Sequence, residues 1–255
     1  MKSSRSEKQP HRFTWAASKA FFAAYPFLPD RALVAGARML FGRNRYPKGR
    51  EFLEKSMLVL KRTLREVNAQ SRQKLKESLF VNECIKGQAL RKQVTDLVGF
   101  EIPVLLVISP TMRCPLRCYG CYSAEYSRDS DLEPETLDLL LTEAKSLGIH
   151  FFVISGGEPF MYPKLLDLIG KHNDSWFQIY TSGALLDTEV VDRLAHLGNA
   201  MPCISVEGFE EQTDSRRGKG HFKKVLTAFE NLRNARVPFG FSATATRVNN
   251  DLITS

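Results

Sequence analysis

The chain has 255 residues, 43% of them hydrophobic, and a net charge of +8. That composition suits a globular core and excludes a wholly disordered chain. The charge is uneven, because residues 1–100 hold 21 Lys+Arg against 8 Asp+Glu and the remainder is acidic by five. A basic surface attracts anionic lipid, nucleic acid or an acidic protein, although a solvated helical face explains it as well. The first ten residues, Met1 to Pro10, contain no apolar run or cleavage site, so no secretion signal is expected. Trp15 to Phe41 is apolar but interrupted by Lys19, Asp30, Arg31 and Arg38. A spanning helix needs roughly 20 nearly uncharged residues, so none is expected and the location reads as cytoplasmic.

Residues 14–98 read as helices. Trp15 to Tyr25 ends at Pro26, and Asp30 is placed to cap a helix to about Phe41. Arg43 to Gly49 is a break. Glu51 to Leu79 carries Phe52, Leu53, Met57, Leu60, Leu64 and Val67 at the spacing of one helix face, and a last helix runs from about Ala89 to Val98. From residue 100 strands and helices alternate. Strands are expected at Val104–Ser109, Phe151–Ser155, Phe177–Thr181, Cys203–Val206 and Phe239–Thr246. Helices between them are expected at Pro134–Leu147, Pro163–Lys171, Asp187–Gly198 and His221–Ala235. This order predicts an α/β domain with parallel strands over 100–255, preceded by a basic helical extension over 1–99. Polar and glycine-rich motifs follow the strands, so a site is expected at their carboxyl ends.

The densest chemistry is Cys114-x3-Cys118-x2-Cys121, directly after the first strand. Five cysteines, three of them within eight residues, read as metal ligation in a reducing compartment and not as a disulfide framework. Three thiolates can hold three irons of a four-iron cluster and leave the fourth iron open. A structural zinc site normally closes with four ligands, whereas Cys84, Cys203, His150 and His172 lie in unrelated segments. On spacing alone zinc remains open. Cys84 and Cys203 read as small buried hydrophobes.

The cysteine loop after the first strand, with Gly156-Gly157-Glu158-Pro159 after the second, resembles the radical S-adenosylmethionine (radical SAM) superfamily. The resemblance runs from about residue 103 onward and implies a partial (β/α)6-type radical SAM barrel that reads as cut short after strand five. It implies that Cys114, Cys118 and Cys121 ligate a [4Fe–4S] cluster and that S-adenosylmethionine chelates the fourth iron. Gly156, Gly157, Glu158 and Pro159 would hold the methionine amino group. Reductive cleavage would then give a 5′-deoxyadenosyl radical that abstracts hydrogen from an unidentified substrate. Ser182 after strand three, and Ser205 and Glu207 at the end of strand four, correspond to polar positions facing the cofactor. Arg217, before Gly218, is the choice for a carboxylate contact. Relatives place an aromatic residue where Gly120 stands, so the adenine contact would fall to the Gly120 backbone. A flavodoxin- or ferredoxin-like one-electron reductant is implied as partner, and no specific nucleic acid. Two further readings stand beside this one. One is a non-catalytic iron–sulfur or zinc module whose basic helices bind nucleic acid or membrane. The other is an enzyme whose residues 1–99 make a peripheral membrane contact.

Overall fold

The computed structural model describes residues 24–40, 47–126, 131–247 and 249–254. The expected helix over Trp15–Tyr25 lies almost wholly outside the described residues. Two compact units divide between Glu66 and Val67.

The first unit contains helices α1 (Asp30–Leu40) and α2 (Pro47–Glu66). Asp30 is the first helical residue, not a cap, and its carboxylate pairs with Lys61 at 2.5 Å, which holds it below the usual carboxylate range. Tyr25 donates its hydroxyl to the Met57 carbonyl at 3.0 Å and Arg65 donates to the Pro26 carbonyl at 2.7 Å, so the entry turn is tied to α2.

The second unit begins with helix α3 (Ala69–Lys74), continues as a π-helical segment (Leu75–Gly87) and ends as α4 (Gln88–Val98). The single helix expected over Glu51–Leu79 is therefore two. Asn68 is extended, and its side chain accepts the Ser71 N–H at 2.8 Å, which satisfies an orphan amide and restarts the helix. The boundary expected at residue 99 is not where the contacts divide, because residues 69–98 belong with the sheet. Ser78 and Asn82 donate to the carbonyls of Asn173 and Asp174. Buried Glu83 accepts the His150 N–H at 2.7 Å and pairs with buried Arg91 at 2.7 Å, and Arg91 also donates to the Gly148 carbonyl. Gly87 and Gly148 permit this approach, since a Cβ on Gly87 would lie 2.4 Å from the Gly148 oxygen.

Five parallel strands follow in the order β1 (Leu106–Ile108), β2 (Phe151–Ile154), β3 (Trp176–Thr181), β4 (Ala200–Ser205) and β5 (Gly240–Ser242). Helices α5 (Pro134–Ser146), α6 (Leu165–Lys171), α7 (Thr188–Leu197) and α9 (His221–Asn234) connect successive strands. Short helices α8 (Glu210–Arg217) and α10 (Asn250–Thr254) complete the described α-helices. Phe152, Ile154, Phe177, Ile179 and Ile204 of the sheet pack against Leu141, Ile169, Leu194 and Val225 of the helices, all buried. The runs of β2, β3 and β4 are apolar because these strands are largely buried, whereas Val107 on β1 and Phe241 on β5 are exposed. Strand β5 is shorter than expected: Ser242 is its last residue, and 243–246 continue as loop. Cys203 is buried on β4, and burial pushes its thiol up to about 11. Cys84, expected to be buried, is exposed on the π-helical segment. No described helix is long and apolar enough to cross a membrane.

Candidate functional site

The carboxyl ends of β1 and β2 are stitched together. Ser155 donates its N–H to Ile108 O at 2.8 Å, Gly157 to Thr111 O at 2.9 Å and Glu158 to Arg113 O at 2.7 Å. The two sequence motifs are thus neighbouring backbone segments. Their glycines are required by that proximity. A Cβ on Gly156, whose φ is +107°, would lie 2.4 Å from Thr111 O, and one on Gly157 would lie 2.3 Å from Arg113 O. The missing Cβ atoms admit the cysteine loop's own backbone, a contact that spacing could not show.

Side chains reinforce the stitch. Thr111 donates its hydroxyl to Asp131 at 2.6 Å, and Arg113 chelates the same carboxylate and donates to Met161 O at 3.1 Å. Thr111, Arg113 and Asp131 were not singled out in the sequence. They stand outside both motifs, and Asp131 comes from the far side of a loop.

Cys114, Cys118 and Cys121 are half-buried thiols, none in a disulfide. The loop turns tightly at its end, where Cys121 N–H donates to Cys118 O at 3.2 Å and Gly120 takes φ +65°. An aromatic residue at Gly120 would be strained in that left-handed conformation. Tyr119, 85% exposed, and Tyr122 flank the turn, and Gly156 donates its N–H to the Tyr122 hydroxyl at 3.2 Å. Cys121 Sγ lies 3.1 Å from the buried Ser123 hydroxyl. Burial raises the Cys118 thiol, while the guanidinium groups of Arg217 and then Arg216 draw it down. Among the described residues no three His, Cys, Asp or Glu side chains converge on one ion-sized position.

Glu158 is fully buried, and its carboxylate faces the end of β3. Oε1 accepts from the Thr181 hydroxyl at 2.7 Å and the Phe160 N–H at 3.3 Å, and Oε2 from the Ser182 N–H at 2.9 Å and hydroxyl at 2.5 Å. His221 Nε2 lies 3.1 Å from Ser182 O, and its other ring nitrogen is buried with no partner. Burial and then Arg217 depress the protonation of that ring.

Glu207, at the end of β4, is also buried. Its Oε1 accepts from Arg216 at 2.9 Å and Arg217 at 2.5 Å, and its Oε2 from the Thr244 N–H at 3.0 Å. Arg217 Nη1 lies 4.0 Å from Cys118 Sγ, and Arg217 Nε is buried without a partner. Tyr119 donates its N–H to Arg216 O at 2.9 Å, fastening α8 to the cysteine loop. Helix α8 escaped the sequence reading because its residues Glu-Glu-Gln-Thr-Asp-Ser-Arg-Arg contain no apolar stripe. Tyr119, Gly120, Glu207, Arg216, Thr244 and Asn249 border a cavity of about 340 Å³. Ser205 is half-buried, in register with Ser242 on β5. Apart from Pro159 and Ser205, the expected residues fall into three groups at one end of the sheet: cysteine loop with Gly156–Gly157, Glu158 with Ser182, and Glu207 with Arg217 and Cys118.

The donor set fits an iron–sulfur cluster with an organic ligand: three thiols on one loop, an adjacent cavity, and an unpartnered buried guanidinium N–H among them. Comparison with known proteins bears on the same region. A sequence profile of the radical SAM superfamily matches residues 108–251. An AdoMet-dependent heme synthase of Methanosarcina barkeri is 30% identical over 158 residues, covering 60% of this chain and 45% of that protein. The mycofactocin maturase MftC of Mycolicibacterium smegmatis is 31% identical over 142 residues, covering 54% and 36%. The chain spans less than half the length of these relatives. Among solved structures, SuiB of Streptococcus suis bound to S-adenosylmethionine has the same fold, with a TM-score of 0.57 and 20% identity over 66% of this chain and 40% of that one. The chain therefore belongs to the radical SAM superfamily, whose members use a [4Fe–4S] cluster and S-adenosylmethionine.

Proposed function

We propose that this chain carries the radical-generating part of a radical SAM enzyme, with Cys114, Cys118 and Cys121 as the cluster ligands. The observation that carries this reading is the hydrogen-bonded pairing of the cysteine loop with Gly156–Glu158, because a simple metal module has no use for the second segment. When bound, the reduced cluster and S-adenosylmethionine supply a 5′-deoxyadenosyl radical that takes hydrogen from a substrate. The protein's part is to bind, orient and exclude water.

The Gly156–Pro159 segment would hold the amino group of the ligand in this reading, while the Glu158 carboxylate ties the segment to the end of β3. Arg217 Nε is the donor left for a carboxylate oxygen, since its two terminal nitrogens face Glu207 and Cys118. The cavity beside Gly120, which Glu207 also lines, suits the adenosine part. Thr181 and Ser182 fix the third loop. A small one-electron carrier protein of the flavodoxin or ferredoxin kind is the reductant.

The relatives include proteins named for heme synthesis, for maturation and for peptide cyclisation. Radical generation is what such different names have in common, and the substrate of this chain is left open by them. Anaerobic reconstitution should load about four irons per chain. With dithionite it should convert S-adenosylmethionine to 5′-deoxyadenosine and methionine, and Cys118→Ala should abolish both iron loading and cleavage. Zinc without iron would replace this reading with the metal module.

A further inference from the structure

Resting on the assignment of Cys114, Cys118 and Cys121 as cluster ligands, we propose that Arg217, with its counter-ion Glu207, sets the reduction potential of the cluster.

The Arg217 side chain is only 12% exposed and that of Glu207 3%, so solvent screens neither charge strongly. One end of the guanidinium is fixed to Glu207 at 2.5 Å, and Nη1 points at Cys118 Sγ, 4.0 Å away. Glu207 is itself immobilised by the Thr244 N–H and by Arg216. Arg216 is anchored in turn through Nε to Tyr119 O at 3.2 Å. Two guanidinium groups share one carboxylate, which leaves one positive charge beside the Cys118 sulfur. Hydrogen bonds to ligand sulfurs, local charge and solvent exposure are the means by which a protein tunes an iron–sulfur cluster. A fixed cation favours the form with the extra electron, and a carboxylate opposes it. Arg217 therefore raises the potential and Glu207 tempers it. None of this requires S-adenosylmethionine.

The test is a redox titration of the anaerobically reconstituted full chain without S-adenosylmethionine, with dithionite as electron donor. One electron passes to the oxidised cluster, no bond is made or broken, and electron paramagnetic resonance counts the reduced form. Arg217→Gln should weaken reduction about tenfold, a 59 mV fall for a one-electron couple. Glu207→Gln should shift the midpoint the opposite way, and Arg217→Lys should lie between wild type and Arg217→Gln. Opposite signs are the signature, since a role only in holding the loop would lower iron content in every variant without moving midpoints in opposite directions. Wild-type midpoints in the variants that load iron overturn the proposal. If Arg217→Gln fails to load, Glu207→Gln and Arg217→Lys decide on their own. A wild-type chain that takes up no iron overturns the cluster assignment itself, and the iron assay tells that failure apart.

Discussion

At the scale of the residue, Glu158 shows how a motif can be visible while its geometry is not. Its carboxylate accepts four hydrogen bonds in a buried position, three of them from Thr181, the last residue of the next strand, and Ser182 just after it. Glu158→Gln keeps the size but turns an amide donor toward the Ser182 N–H and hydroxyl or the Thr181 hydroxyl. A buried donor left without an acceptor costs about 1–3 kcal/mol, so the urea unfolding free energy should fall by that amount. An unchanged midpoint would remove the bracing role. The position of Glu158 was legible because it is embedded in two glycines and a proline. The direction of its carboxylate was not, since that depends on which strand lies alongside. Gly120 was likewise legible as a departure, and its φ of +65° supplies the reason for glycine there.

At the scale of the element, alternating apolar runs and helices were enough to place the five described strands and the four connecting helices, because burial of the strands writes itself into β-branched and aromatic residues. Strand ends were less legible, since hydrogen-bond pairing and not hydropathy ends a strand, as at Ser242. Elements held by polar contacts were missed: α8, pinned by backbone bonds to Tyr119, and the restart at Asn68, pinned by a side-chain cap. The join of the first two strand-end segments makes a further prediction. Gly157→Ala would drive a Cβ into Arg113 O and the Met112 backbone, neither of which is the end of a flexible side chain. It should cut iron loading on reconstitution severely, whereas Gly240→Ala, where the backbone is not left-handed and a Cβ meets nothing nearer than Cys203 Sγ at 3.5 Å, should keep the loop's iron content near wild type. Equal loading of the two variants, assayed by iron per chain, would contradict the close-approach argument.

At the scale of the whole molecule, three histidines sit inside the second unit with protonation disfavoured. Burial is the leading cause for His150, His172 and His221, assisted by Lys145 and Arg91 for the first, Lys145 for the second and Arg217 for the third. Asp138 accepts from His172 at 2.9 Å and opposes the shift without cancelling it. Each ring binds a proton more readily in the unfolded chain, so unfolding takes up protons and stability rises with pH in this range. The contribution is complete above about pH 6.5, the ordinary histidine value, and is lost as pH falls below it. Thermal melts at constant ionic strength should therefore show a falling midpoint from pH 7 to pH 5. A flat profile over that interval would mean that the rings are solvated. The acidic balance of the sheet-bearing region and the basic balance of the first hundred residues were both plain from composition. That residues 69–98 belong with the sheet was not, because its clamp is one buried ion pair, Glu83 with Arg91, and backbone acceptors that composition does not reveal.

The hydrogen bonds from Gly157 and Glu158 to Thr111 and Arg113 also bear on the order of events during assembly. Gly157 and Glu158 are joined to Thr111 and Arg113 through amide and carbonyl groups, so this seam does not depend on a metal–sulfur bond. Ordering a loop segment costs on the order of 1–2 kcal/mol per residue. Here part of that cost is met during folding of the sheet, not during cofactor insertion. A chain stripped of its cluster by oxygen should then keep this seam closed, with slow amide exchange at Gly157 and Glu158, and be ready for repair in place instead of refolding.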